Sequence, residues 1–350
     1  MECATGTYTG NGTSQSIAVG FQPEVVFLQD RPSGSTTGPL TLATAAMTAG
    51  DSFSSATAGA CTTCITSIDS NGFSVGSSST VNESSQVYHW CCFGADAEVL
   101  DAGTYAGDGN DDRTITTACT GTGGAGWVFT VRDRTQAAMM FKTGQSAGTD
   151  ISMVIFQNSG GITNRIQDIS ATTFDVGSGN EVNASGSNYF YVFMQTKASV
   201  CEVGGQDGDG LDDRTITLAD TTINPKMMMV RQASTNARKG AFRIDTLVGD
   251  LSWLPANALG PGGEAANMIQ AMAKGSFELG TDASVNANDG AGKPYNWFVV
   301  QATPAAAAIP IPALPGGGSV SAPFQQFNTA YSFTKGGIEL ESTFKNTRIL

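Results

Sequence analysis

An all-β fold is what this sequence predicts, arranged as three tandem antiparallel β-sandwich (jelly-roll-like) repeats with an extended C-terminal tail. Three observations carry that expectation. Short runs of β-branched and aromatic residues alternate with clusters of Gly, Ser, Asn, Asp and Thr, the punctuation of turns between strands. Stretches of helical period are nearly absent. The best of them, residues 264–274, aligns with strand-like segments elsewhere in the chain and is reduced to at most a short turn of helix. Finally, the chain repeats itself with a period of about 100 residues, the size of an ordinary domain.

Each copy opens on a hairpin. GTYTGNG at 6–12, followed by SIAV at 16–19, returns as GTYAGDG at 103–109 with RTIT at 113–116, and as GGQDGDG at 204–210 with RTITL at 214–218. Asn11-Gly12 and Asp209-Gly210 supply the glycine that a turn with positive φ requires, and Asn71-Gly72 supplies another before a later strand. An apolar strand comes next: EVVFL at 24–28, WVFTV at 127–131 and KMMMV at 226–230. The second half is spaced more strictly. Ile65, Ile166 and Ile269 each stand eight residues before a phenylalanine, and eight residues after Phe73, Phe174 and Phe277 comes a Val-Asn pair, at 81–82, 182–183 and 285–286. A closing aromatic strand ends each unit: YHWCCF at 88–93, YFYVF at 189–193 and YNWFVV at 295–300. The phenylalanines lie 101 and 103 residues apart, which sets the repeats at 1–101, 102–202 and 203–303.

Residues 304–318, rich in Ala and Pro and ending in three glycines, form a linker. The extension at 319–350 is too short for a core of its own, yet it carries Phe324, Phe327, Tyr331, Phe333, Ile338, Leu340, Phe344 and Ile349. Those side chains need burial elsewhere. The alternation in GIELE at 337–341 suits a strand added to a sheet edge, either of a neighbouring subunit or of the chain's own third repeat.

Charge and composition narrow the function. With 18 Lys+Arg against 31 Asp+Glu, a net charge of -13 and no lysine before Lys142, binding to nucleic acid or to an anionic membrane surface is not expected, since both need clustered basic residues. A single histidine, His89, removes most His-based metal and acid–base chemistry. No apolar stretch reaches the ~20 residues of a spanning helix, and the start shows neither a basic n-region nor an apolar h-region, so no classical secretory signal is expected.

Several residue groups are candidates for chemistry. Asp207, Asp209, Asp212 and Asp213 alternate around glycines as a calcium loop would, though the first copy has no carboxylate at that place and a bidentate Glu is missing. The duller alternative is a solvated turn in which carboxylates such as Asp112 and Asp213 pair with Arg113 and Arg214. Among seven cysteines, Cys61, Cys64, Cys91 and Cys92 fall in the first copy and read as buried thiols, as a disulfide such as Cys64 to Cys92, or as zinc ligands. Cys3 and Cys201 share one repeat position, and a bridge between subunits is open to either. GQSAG at 144–148 fits the nucleophile-elbow string but lacks a histidine partner and a strand-to-helix turn. Asp111 and Asp112 are adjacent on a turn and do not straddle a sugar as glycosidase carboxylates do. Asn11, Asn82 and Asn183 head sequons that matter only in a eukaryotic secretory pathway. Tyr8 and Tyr105, just ahead of exposed hairpins, are the candidates for stacking on a glycan; Trp90 and Trp297 recur at a core-facing position.

The order GxYxGNG, IAVGFQPEVV at 17–26, DSNGFSVG at 69–76, Val-Asn and a closing Tyr-x-Trp resembles a β-sandwich module of tailed-bacteriophage virion proteins, of the tail-fibre, tail-associated or head-surface type. The likeness is fullest over 6–93, weakens where residues 118–126 replace the GFQP stretch and where NPK at 224–226 keeps only the proline, and covers about 1–303. It implies a structural or adhesive role and brings no active-site residues. The expectation is therefore a non-enzymatic virion component without cofactor, made in the bacterial cytoplasm and assembled into the particle as a homo-oligomer with other virion proteins. A receptor-binding adhesin that grips host-surface polysaccharide is the alternative.

Overall fold

A strand that is apolar at nearly every position needs cover on both faces. The computed structural model describes residues 1–31, 38–55, 59–133, 138–157, 159–233, 238–255, 263–288 and 294–301, and in it the apolar runs lie inside three large antiparallel sheets. The first sheet runs Cys3–Thr9, Val87–Gly94, Pro23–Arg31, Leu40–Thr44, Phe53–Ser54, Gly59–Ala60 from edge to edge. The second follows the same order with one strand fewer: Leu100–Ala106, Asn188–Thr196, Gly124–Arg132, Met140–Thr143, Met153–Val154. In the third the order is Cys201–Asp207, Pro294–Val300, Met227–Gln232, Ala241–Ile244, Ser252–Leu254, Gly263–Ala265. Each has a three-stranded companion, in which Gly72–Val75, Thr173–Val176 or Ser276–Leu279 is the middle strand. The fold is all-β and its sheet pairs are sandwiches. The stretch 264–274 is strand at both ends, in Gly263–Ala265 and Ile269–Ala273.

One face of each large sheet covers its own small sheet. Val26 and Leu28 join Ile65, Phe73, Val75, Tyr88 and Trp90 in one buried cluster, with the Phe73 and Trp90 rings edge to face at 6.1 Å. Phe277 meets Trp297 the same way at 5.2 Å. The opening glycine makes room for these rings. Gly6, Gly103 and Gly204 pair in register with Trp90, Tyr191 and Trp297, and a Cβ on them would lie 2.3, 2.4 and 2.2 Å from the ring or its hydroxyl.

The opposite faces of the three large sheets meet one another. Phe27 of the first contacts Phe129 of the second at 6.0 Å, and Phe298 of the third lies 6.0 Å from Phe129 and stacks on Trp127 at 4.7 Å. Polar contacts close the remaining sides: His89 Nδ1 lies 2.7 Å from Thr246 Oγ1, and Thr5 Oγ1 donates to Asp245 at 2.5 Å. Between the second and third sheets, Arg231 donates to the carbonyls of Val154 and Ser159 at 3.2 and 2.6 Å. Residues Met1–Ala306 accordingly form one compact unit with a common aromatic core. The linker after 304 and the apolar residues Phe324, Phe327, Tyr331, Phe333, Ile338, Leu340 and Phe344 lie outside the described residues. No helix among the described residues is long and apolar enough to cross a membrane.

The Val-Asn pairs fall in single helical turns, Ser79–Asn82, Asn180–Asn183 and Ala283–Asn286. Too short to persist alone, each is clamped by the tyrosine that starts the closing strand. The Tyr189 hydroxyl accepts from the Ala184 N–H and donates to the Asn180 carbonyl, both at 2.7 Å; Tyr88 and Tyr295 do the same to Glu83 and Ser79 and to Ala287 and Ala283.

Candidate functional site

The hairpin that opens each repeat and the helical turn that carries Val-Asn come together at one end of each sandwich. Asn82, Asn183 and Asn286 are fully buried there and tie the hairpin down. The Asn286 Oδ1 accepts from the Asp209 N–H at 3.1 Å and from the Arg214 guanidinium at 3.0 Å, while its Nδ2 donates to Asp209 Oδ1 and the Leu211 carbonyl, both at 2.9 Å. Asn183 repeats this set with Asp108, Arg113 and Asn110. In the first repeat Asn82 accepts from the Asn11 N–H at 2.9 Å and the Gln15 amide at 2.8 Å, and donates to the carbonyls of Thr13 and Gly76. The turn glycine then bonds the same asparagine's carbonyl: Gly12, Gly109 and Gly210, all with positive φ, donate to it at 2.8 Å.

This arrangement does not gather Asp207, Asp209, Asp212 and Asp213 into a calcium loop. Asp209 faces a cation already present in the chain: its carboxylate sits 3.1 Å from the Arg214 Nε and accepts from the Leu211 N–H at 2.9 Å. Asp207, Asp212 and Asp213 are exposed, Asp212 accepting from Gln270 at 2.9 Å, and among the described residues no three His, Cys, Asp or Glu side chains converge as metal ligands. The arginine partner is Asp209, and in the second repeat Asp108, in place of the expected Asp213 and Asp112. The first repeat explains why. There Gln15 donates to Thr9 and Asn82, as the arginines donate to Asp207 and Asn286 or to Ala106 and Asn183, and Asn11 stands where the others have aspartate. Charge is added or removed in matched pairs. The Asn110 N–H and the Asn183 amide hold the Asp108 carboxyl below the usual range. Burial works against Asp209, but the Leu211 N–H, Asn286 and Arg214 outweigh it and hold it low as well.

Cys61 and Cys64 form a disulfide, whereas Cys64 and Cys92 share a buried cluster without bonding. Cys91 and Cys92 are buried thiols pushed well above the ordinary thiol range, by desolvation first and by the neighbouring Cys3 thiol second. Burial pushes Cys201 up to about 12, and at 2% exposure it cannot reach another subunit, whereas Cys3, a free thiol, is only half-buried. Thiols held protonated by burial are poor nucleophiles, and with Cys61 bonded to Cys64 the four-thiolate set is not assembled among the described residues.

Tyr105 is not a glycan platform. It is buried, stacks on Tyr189 at 5.1 Å with the Arg113 guanidinium 5.6 Å from its ring centroid, and donates to the Val182 carbonyl at 2.7 Å. Tyr8, half-buried, stacks on Tyr88 at 5.2 Å and bonds the Val81 carbonyl. Ser146 sits in a single 3-10 turn with its hydroxyl on the Thr143 carbonyl at 3.0 Å, and Asn82 and Asn183 are too buried to act as sequons in the folded chain.

Buried cations escaped the sequence reading, three of them inside apolar strands. Lys142 is fully buried and donates to the carbonyls of Thr149 and Ile151 at 2.6 and 2.9 Å; burial draws it down to about 8, against the pull of Asp168 and Asp150. Arg243 donates to the carbonyls of Leu247, Gly249, Leu251 and Ile269. Arg231, also fully buried, is lowered to about 9 by desolvation. Their only trace in sequence is a basic residue inside an apolar strand, as in MFKT at 140–143 and AFRI at 241–244.

These loops and clamps define a β-sandwich scaffold whose hairpin asparagines, aspartates and arginines are engaged with one another. The chain belongs to the family described as Domain of unknown function (DUF7483), which matches residues 3–246. No curated protein matches it in sequence.

Proposed function

We propose that the chain is a non-enzymatic structural component of a bacteriophage virion, in a fibre, spike, collar or capsid-decoration position. In this reading it self-associates, meets other virion proteins, and docks through residues 319–350 after synthesis in the host cytoplasm. The shared aromatic core is the observation that carries it. Three sandwiches held face to face through Phe27, Phe129 and Phe298 make one block whose spare surface is hairpin loops and sheet edges, elements suited to contact with further copies. The resemblance of residues 6–93 to tailed-phage modules agrees with it. No contact of Tyr8 or Tyr105 favours the adhesin alternative, since both rings already stack on neighbouring tyrosines. Sedimentation of the full chain beside a chain ending at residue 303 tests the proposal. A discrete oligomer that falls to folded monomers on truncation is expected; identical sedimentation of the two would remove the docking role.

A further inference from the structure

Two of the three repeats place a cation at one position that the third leaves to alanine. In the strand ladders, Lys142 pairs with Val128 and Arg243 with Met228; Ala43 pairs with Val26, at the same point of the first sheet. The loop that follows is anchored alike in all three, by the buried serines Ser52, Ser152 and Ser252, whose hydroxyls accept from the N–H of Ile65, Ile166 and Ile269 at 3.2, 3.1 and 2.7 Å.

Residues 43–52 and 243–252 are equal in length, so the four carbonyls around the Arg243 guanidinium, those of Leu247, Gly249, Leu251 and Ile269, correspond by count to Met47, Ala49, Asp51 and Ile65. All four line a cavity of about 150 Å³ beside Ala43. The tight turn comes one residue later in the first repeat, with Gly50 in place of Gly249 at positive φ, but residues 43–45 and 47–51 still border the cavity. That volume equals about five water molecules, enough for a small organic ion. Its rim, with Gln22 and Ala49, is exposed. The surrounding charge favours a cation: residues 1–101 hold nine acidic side chains against a single arginine, Arg31.

We propose that this cavity binds an organic cation, an ammonium or guanidinium group on a short alkyl arm, in the place that Lys142 and Arg243 fill from within their own repeats. The group comes either from a free amine or guanidine or from a lysine or arginine of another chain. In both cases its N–H donors meet the loop carbonyls and its alkyl part lies against Met47 and Ile65.

Full-length protein with labelled Met and Ile methyls, titrated with butylammonium, butylguanidinium and doubly blocked arginine, tests this by NMR. Tetramethylammonium, a cation without N–H donors, is the control. Saturable shifts at the Met47 and Ile65 methyls with the N–H cations alone are expected. Saturation by blocked arginine extends the site to a protein side chain, and its failure to saturate confines the site to small amines and guanidines. Ala43→Arg supplies the group internally and should raise the melting temperature and abolish the response. Should that variant not fold, Ala43→Leu, which fills the cavity without donors, must abolish the response instead. Shifts linear in concentration, equal shifts with tetramethylammonium, or a response that survives in either variant would overturn the proposal.

Discussion

Replacing Asn286 with alanine separates a shared core from three independent sandwiches. The side chain is fully buried and makes four hydrogen bonds, two with the charged groups of Asp209 and Arg214 and two with main-chain groups of Asp209 and Leu211. Charge-assisted bonds contribute about 1.5–3 kcal/mol each and neutral ones about 1 kcal/mol. Water reaching the exposed loop recovers part of this, which leaves a loss of about 3 kcal/mol. If the unit Met1–Ala306 unfolds as a whole, its entropy of unfolding is ~0.6 kcal/mol/K at about 2.1 cal/mol/K per residue, and the midpoint falls by about 5 °C. If the third sandwich melts alone, about 100 residues carry the loss, and its midpoint falls by about 14 °C while the rest stays put. Scanning calorimetry distinguishes the two. A single transition displaced by a few degrees is expected; a separate early transition would refute the shared core as a cooperative unit.

Other expectations concern individual contacts. Lys142 titrates near 8 in the folded chain and from 10.5 in the unfolded one, so between those values the unfolded state binds more protons and stability rises with pH, by up to about 3 kcal/mol. In denaturant melts from pH 7.5 to 10.5 the stability of the native chain relative to Lys142→Met should rise with this slope, since the buried thiols of Cys91, Cys92 and Cys201, whose raised values work in the opposite direction, are common to both. The pair Asp209→Asn with Arg214→Gln copies the neutral set of Asn11 and Gln15. It should cost about 1 kcal/mol or less, and neither it nor the native chain should change its melting midpoint in EDTA; a fall in EDTA would restore the calcium reading. Gly6→Ala drives a Cβ into the Trp90 ring and should cost about 1–3 kcal/mol with a changed near-ultraviolet tryptophan signal. Unaltered stability would mean that the glycine serves some other purpose.

Local pattern made much of this fold readable. Turn glycines, alternating strands and the fixed interval from Phe73 to Asn82 are short-range signals, and their equivalents recur in the other repeats. What Asn82 does was hidden, because its partners Asn11 and Gln15 lie 71 and 67 residues away. Tyr105 was misread since small residues occupy both faces of its strand, so alternation does not show which side is buried. The doubly apolar strand at 24–28 announced that two faces need cover. Whether a sister repeat or another subunit supplies it depends on long-range packing, which Phe129 and Phe298 reveal only in three dimensions. Cysteine pairing was open for the same reason: Cys64 and Cys92 share a cluster, yet the bond closes to Cys61.

Immunogold electron microscopy, using antibody raised against this chain on particles released from the lysed host, bears most directly on the virion assignment. Gold at fixed, repeated positions on the particles is the result predicted. Bare particles, with the chain left behind in the soluble lysate, would contradict it.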